Sequence, residues 1–343
     1  MTFDPNATGN NDNGVFSLPF SQEESQLVLL SVPWEVTTSY GDGCSLGPDT
    51  ILESSKQLDL CDSLYGTFYE KGIFQIPSNP NHIESGKVLK QKATQIRETL
   101  ESGKPLSNEE KKDQDLINSA SQKTNSWVYE QCQEILKKNK FCGVIGGDHS
   151  SPFGLIKALK EQYSDISILQ IDAHMDLRKS YQGYKYSHAS IMRNVMEELK
   201  PHSLVQMGIR DFCPEEHDYG QSKDNIHTFF DSQVGLHLSQ GKTWSQISQE
   251  AISFLSDSVY ISFDIDGLMP DLCPNTGTPV PGGISFQQME TLLYNLSQSG
   301  KKIIGFDLCE VSPGAHSSDL NGWDGNVGSR VLFKLCGSLL HQK

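Results

Sequence analysis

The sequence predicts an α/β fold, a mainly parallel sheet with helices on both faces. Three observations predict it. Short apolar runs such as "VLLSV", "CGVIGG", "ISILQI" and "VYISF" lack the polar alternation of a half-exposed strand. Amphipathic stretches separate them, as crossovers between parallel strands require. Several of the runs end in ionisable side chains, and open parallel sheets bind ligands beyond the carboxyl ends of their strands.

The elements follow in order. Residues 1–25 are polar and Asn-rich and read as a tail or surface arm, leaving 26–343 as a single domain. "QLVLLSVPW" is the first strand, and the Gly-rich loop "EVTTSYGDGCSLGPDT" leads to a helix with Pro48 in its first turn. Residues 78–126 are charged and poor in large apolar side chains; they read as a helical insertion, hairpin or lid, with little core. A regular rhythm follows. Helix "SWVYEQCQEILKKN" precedes strand "FCGVIGG", and helix "SPFGLIKALKEQY", with Ser151 as cap and Pro152 in its first turn, precedes strand "ISILQIDAH". Next come helix "ASIMRNVMEELK", strand "SLVQMGIRD", helix "SQISQEAISFLS" and strand "VYISFDID". Helix "SFQQMETLLYNLSQSG", strand "KKIIGFDLCEV" and helix "VGSRVLFKLCGSLLH" close the chain.

Bulk properties exclude some functions. The 343 residues carry a formal net charge of -15, which opposes binding to nucleic acid or to an anionic membrane surface. No apolar run approaches a membrane span, and the first residues lack a signal-peptide pattern, so the expected location is the cytoplasm. The 8 Cys form no C-x-x-C pair and several sit in apolar runs, so reduced thiols are expected.

The strand ends carry the chemistry. "VIGG" ends in Asp148-His149, "LQI" in Asp172, His174 and Asp176, "YISF" in Asp264 and Asp266, and "IIGFDLC" in Glu310. Side chains two apart on an extended segment share a face, so Asp172, His174 and Asp176 reach one site, and Asp264 and Asp266 repeat that spacing. Four carboxylates in one crevice cannot all stay ionised unaided. Two divalent cations would supply the missing charge, held by these carboxylates with His149 and His174. Hard oxygens with few imidazoles suit Mn²⁺, and the absence of Cys from these motifs argues against structural zinc. An Asp-x-Asp alone is usually a loop cap; the three clusters together point to a metal centre.

"GGDHS" (146–150), "DAHMD" (172–176), "SFDIDGLMPDLCPNTGTPVPGG" (262–283) and "GFDLCEVSPG" (305–314) resemble the signatures of the ureohydrolase (arginase/agmatinase) superfamily over roughly residues 27–340. The resemblance implies a three-layer α/β/α domain, assembly as a homotrimer or homohexamer, and hydrolysis of a small cationic guanidinium substrate at two Mn²⁺ ions. It assigns His149, Asp172, Asp176 and Asp264 to one ion and Asp172, His174, Asp264 and Asp266 to the other, with Asp172 and Asp264 bridging. It makes His188 a proton shuttle, suited by the ordinary imidazole pKa, and Glu310 the carboxylate that holds the guanidinium. Met269 and Asn275 depart from the family pattern beside the ligands, which bears on hydrogen bonding around them.

The substrate is read from the loops. Leu177-Arg178 after Asp176, and Cys213 where arginases place an acid, resemble the agmatinase branch; Glu216 is retained as a substrate contact. Agmatine, a decarboxylated amine, needs no carboxylate clamp. Trp34 in the entrance loop would stack on a cation. The alternatives are a guanidinase, with Ni²⁺ and a pocket closed by Trp34, Tyr40 and Tyr184, an arginase or guanidinobutyrase, and a catalytically silent subunit.

Overall fold

The computed structural model describes residues 3–314 apart from 7 and 11, together with 320 and 322–342. Its elements run β1 (Leu27–Val32), α1 (Gly47–Ser55), β2 (Ile73–Ile76), α2 (Pro80–Glu101), α3 (Asn108–Leu136), β3 (Phe141–Gly146), α4 (Phe153–Gln162) and β4 (Ile166–Ile171). They continue α5 (Ile191–Asn194), β5 (Ser203–Ile209), α6 (Pro214–Gln221), β6 (Ile226–Phe230), α7 (Asp231–Ser239), α8 (Trp244–Ser253), β7 (Ser258–Asp264), α9 (Phe286–Gln298), β8 (Lys302–Cys309) and α10 (Trp323–His341). The strands form one eight-stranded sheet in the order β2-β1-β3-β8-β7-β4-β5-β6, with every pairing parallel.

Successive side chains on each strand feed opposite apolar layers. Leu27, Leu29, Leu169 and Ile171 pack with Met289, Leu293, Leu332 and Leu339 of α9 and α10. Val28, Leu30 and Ile168 face the other way, with Ile96, Ile117, Val128 and Leu155 of α2, α3 and α4. This is the predicted three-layer α/β/α architecture. Burying each such Leu or Ile stabilises the fold by roughly 1.5–3 kcal/mol.

Several expectations change. The tail does not extend to residue 25: Val15, Phe16 and Leu18 are buried, and the Phe16 ring meets Phe333 of α10 edge-on at 5.1 Å. The apolar run "VFSLPF" sits among Asn and Gly, which hid it. The 78–126 segment is a helical hairpin, and α3 passes through residue 126 unbroken, absorbing the helix read separately after it. Nor does it lack core. Leu89, Ala93 and Ile96 form a buried stripe on α2; Ile117, Ser121, Asn125, Val128, Cys132 and Ile135 form one on α3. Two polar members and many exposed charges masked that stripe. Ser151 does not cap α4, whose N-cap position is Pro152 without a side-chain bond. The stretch "ASIMRNVMEELK" is α5 between a short 3₁₀ turn and a π turn rather than one helix. Unpredicted β2 and β6 are the two sheet edges, short and only half-buried, so their pattern lacks the apolar signature of the central strands.

Candidate metal centre

β3, β8, β7 and β4 are consecutive neighbours in the sheet. Their carboxyl ends therefore lie side by side, and each delivers part of the site: His149 after β3, Glu310 after β8, Asp264 and Asp266 at β7, and Asp172, His174 and Asp176 after β4. Two groups of potential ligand atoms form there, His149 with Asp172 and Asp176, and His174 with Asp172 and Asp266.

His149 Nδ1 lies 3.0 Å from Asp172 Oδ2, 3.1 Å from Asp176 Oδ2 and 3.4 Å from Asp264 Oδ2. Yet Nδ1 is buried and makes no hydrogen bond. Atoms bound at about 2.0–2.2 Å to one small divalent cation stand about 3.0–3.5 Å from each other, so these separations fit a shared ion. In the second group, His174 Nδ1 is 3.1 Å from Asp266 Oδ2 and 3.6 Å from Asp172 Oδ1. Asp172 thus offers one oxygen to each group, the disposition of a bridging ligand. Asp264 offers Oδ2 to the first group, while its Oδ1 accepts the Asp266 amide at 2.9 Å.

Partners that the sequence reading did not single out fix these side chains. Gln170 donates to Asp172 Oδ2 at 2.8 Å, and Gln206 donates to Gln170 Oε1 at 2.7 Å. The backbone N–H groups of His174 and Ala173 donate to Asp172 and Asp266. His149 Nε2 meets Ser262 Oγ at 2.9 Å with Asp307 Oδ1 at 3.7 Å, which aims Nδ1 at the carboxylates. Asp307 and Ser262 lie on β8 and β7, in the same "FD" and "SFD" runs as the ligands, and are buried polar residues in otherwise apolar strands. Asp176 (φ 54°) and Glu310 (φ 64°) adopt left-handed backbone conformations. Such strain costs of order 1–3 kcal/mol and clusters where side-chain direction matters.

The electrostatics call for positive charge. Burial first, then the charge of Asp172, pushes Asp176 up to about 7. Burial, with Asp266 and Asp172 nearby, raises Asp264 well above the carboxylate range, and burial with Asp148 does the same to Glu310. Asp172 stays low despite burial because the His149 and His174 imidazoles face it. The donor set therefore fits two divalent cations.

A cavity of about 220 Å³ opens over these groups, lined by His149, His174, Asp176, Asp264, His188 and Glu310 together with rim residues Arg178, Tyr181, Asp211, Phe212 and Glu216. Glu310 Oε1 accepts the His149 amide at 3.0 Å, and its Oε2 is buried without a partner. His188 Nδ1 is likewise unpartnered. Burial, then the charges of His174 and Lys90, pushes His188 down to about 3, below the ordinary imidazole value expected from the sequence.

Other expected contacts shift. Trp34 is 4% exposed, packs in the apolar layer beneath the entrance loop, and does not line the cavity. Glu216 does line it, but its carboxylate accepts the Leu177 and Cys213 amides and pairs with Arg178 at 3.5 Å. It holds the rim together rather than offering a free oxygen. Asn275 bonds to Asp324 at the start of α10, and Met269 is exposed, so neither departure from the family pattern lies among the ligands. Asp211, following β5 with its side chain 68% exposed, is a rim carboxylate whose Oδ2 lies 4.0 Å from His174 Nε2.

A sequence model of the arginase family matches residues 25–337. An N(1)-aminopropylagmatine ureohydrolase of Synechocystis is 29% identical over 299 residues, 85% of this chain and 83% of that protein. An agmatinase of Bacillus subtilis is 28% identical over 313 residues, 91% of each chain. Among solved structures, proclavaminate amidino hydrolase of Streptomyces clavuligerus aligns with a TM-score of 0.73 at 20% identity, covering 98% of this chain and 100% of the other. Agmatine ureohydrolase of Thermoplasma volcanium aligns at 0.72 and 23% identity, over 94% and 92%. These two structural matches share the fold described above.

Proposed function

The chain belongs to the arginase family, and on that premise we propose that it is an agmatinase, converting agmatine and water to putrescine and urea with two Mn²⁺ ions. At the coarser level it is a hydrolase of amidino C–N bonds acting on guanidino compounds. The observation that carries the finer reading is the meeting of unpartnered buried polar atoms on one small cavity: Glu310 Oε2, His188 Nδ1 and His149 Nδ1.

The residues divide the work. His149, Asp172, Asp176, Asp264, His174 and Asp266 would hold the two ions, which when bound would lower the pKa of water enough to make hydroxide available near neutral pH. Glu310 Oε2 accepts N–H bonds from the guanidinium and fixes its plane. His188, on the cavity wall, would relay a proton from the attacking water to the departing amine. At the rim, Arg178 is committed to Glu216 and to the Tyr181 ring face at 4.9 Å. It is not free to clamp a substrate carboxylate, whereas Asp211 is placed to accept an ammonium. The committed Arg178 disfavours arginine and guanidinobutyrate, and Asp211 disfavours guanidinobutyrate, which has no ammonium. Against a guanidinase, Trp34 and Tyr184 are buried away from the cavity and Tyr40 is 80% exposed, so none of them closes it. The names of the Synechocystis and Bacillus relatives support a cationic polyamine-type substrate. In this reading the enzyme works in the cytoplasm as a homotrimer or homohexamer, a mass that light scattering on the purified chain measures. Among the described residues no helix is long and apolar enough to cross a membrane.

The test is urea release by the Mn²⁺-loaded protein from agmatine, N(1)-aminopropylagmatine, arginine, 4-guanidinobutyrate and guanidine. Agmatine should give the highest kcat/KM. Turnover confined to guanidine with Ni²⁺ would overturn the agmatinase reading, and silence on all five would make the chain a non-catalytic member of its family.

A further inference from the structure

The α2–α3 hairpin sends its polar contacts to two loops that wall the cavity. From α2, Lys90 Nζ lies 3.1 Å from Asp42 Oδ1 and 3.7 Å from Glu35 Oε1, and donates to the Thr38 carbonyl at 3.2 Å. Arg97 donates to the same carbonyl at 3.3 Å. This loop contains Ser39, which lines the cavity, and Thr37, whose Oγ1 accepts the His188 amide at 3.3 Å. From α3, Gln114 donates to the Gln182 carbonyl at 2.8 Å. Asn118 donates to the Gly183 carbonyl at 3.0 Å and accepts the Lys185 amide at 3.0 Å. A Cβ on Gly183 would stand 2.1 Å from Gln114 Nε2, so this loop sits directly on the helix. It runs from Tyr181, on the cavity wall, to His188. The two helices are themselves tied by Lys92 and Asp113 at 2.7 Å.

We propose that the α2–α3 hairpin is a brace for the reaction pocket: Lys90 grips the 35–42 loop and Gln114 with Asn118 grip the 181–188 loop, and together they set the position of His188. These three are positioning residues; none touches the reacting atoms. The proposal rests on the pocket being the reaction site, but its structural half does not need a substrate. The buried faces of both helices make a fixed support of the hairpin rather than a swinging lid, because opening would expose Leu89, Ile96, Ile117 and Val128.

Hydrogen–deuterium exchange on the full, Mn²⁺-loaded chain tests it, with urea release from agmatine as the second readout. Asn118→Ala and Gln114→Ala, made separately, should speed exchange across 181–190 by about tenfold through local opening while β5 stays protected. Lys90→Met should do the same across 35–43, and Lys90→Arg should restore it. In each loosened variant kcat should fall several-fold with KM and bound metal little changed. Unchanged exchange in both loops, or faster exchange with unchanged kcat, would overturn the brace. If no guanidino compound is turned over, the substrate reading fails alone, and the exchange data still decide whether the hairpin holds the loops.

Discussion

Asp172 has its two oxygens turned to different histidines, so one substitution reaches both ligand groups. Asp172→Asn should reduce bound metal below two ions per chain and lower kcat by at least ~10³-fold, with unchanged circular dichroism. Gln170→Ala, which frees Asp172 Oδ2 from its donor and removes an acceptor of Gln206, should weaken metal binding by about 10–100-fold in a chelator-competition titration. His188→Ala should separate the roles: kcat falls by about 10²–10⁴ while both ions stay bound, as metal analysis would show. The candidate ligands were legible in the sequence because Asp-x-His-x-Asp and Asp-x-Asp are ligand spacings on extended chain. Gln170, Ser262 and Asp307 were not, because a polar residue inside an apolar strand gives no sign of which neighbour it serves. Trp34 was misplaced for a related reason: an aromatic in a loop packs or stacks according to which way the loop folds, and here it folds inward.

At the scale of elements, the tie between the 60–66 loop, α9 and α10 gives a pH test remote from the cavity. Lys334 Nζ sits 2.6 Å from Asp62 and 2.7 Å from Glu290. Burial pushes Asp62 up, but Lys334 and the amides of Leu64 and Tyr65 outweigh it and hold the carboxyl below its usual value. Its folded pKa being depressed, Asp62 stabilises the fold above the unfolded aspartate value of about 3.9, and the benefit is lost as pH falls through the lower folded pKa. The stability gap between wild type and Asp62→Asn in urea denaturation should therefore be full at pH 6 and close toward pH 2. A gap constant across that range would refute the pairing. At the end of β3, a Cβ on Gly147 would meet the Trp34 carbonyl at 2.1 Å. Gly147→Ala should cost about 1–3 kcal/mol and displace His149, visible as a lower Tm and weaker metal binding. The central strands and flanking helices were readable from apolar runs; the edge strands and the charged face of α3 were not, since half-exposed elements carry no such contrast.

For the whole molecule, the sheet order explains why site residues spread from residue 149 to residue 310 converge: β3, β8, β7 and β4 stand next to one another although β8 comes last in sequence. That order is invisible in any single motif. The sequence reading reached the convergence but not the order, through the rule that ligands bind beyond the carboxyl ends of parallel strands. Because the native site alone assembles the ligands, metal binding adds to stability, by about 2.7 kcal/mol at a free ion concentration of 100 Kd. Chelation should accordingly lower Tm, and excess Mn²⁺ should restore it. The central claim is tested most directly by loading the metal-stripped chain stepwise with Mn²⁺ in the presence of agmatine and following urea. The account predicts that activity rises to a plateau at two ions per chain and that Asp172→Asn never reaches it. Urea release that is indifferent to metal removal, or complete with no ion bound, would contradict it.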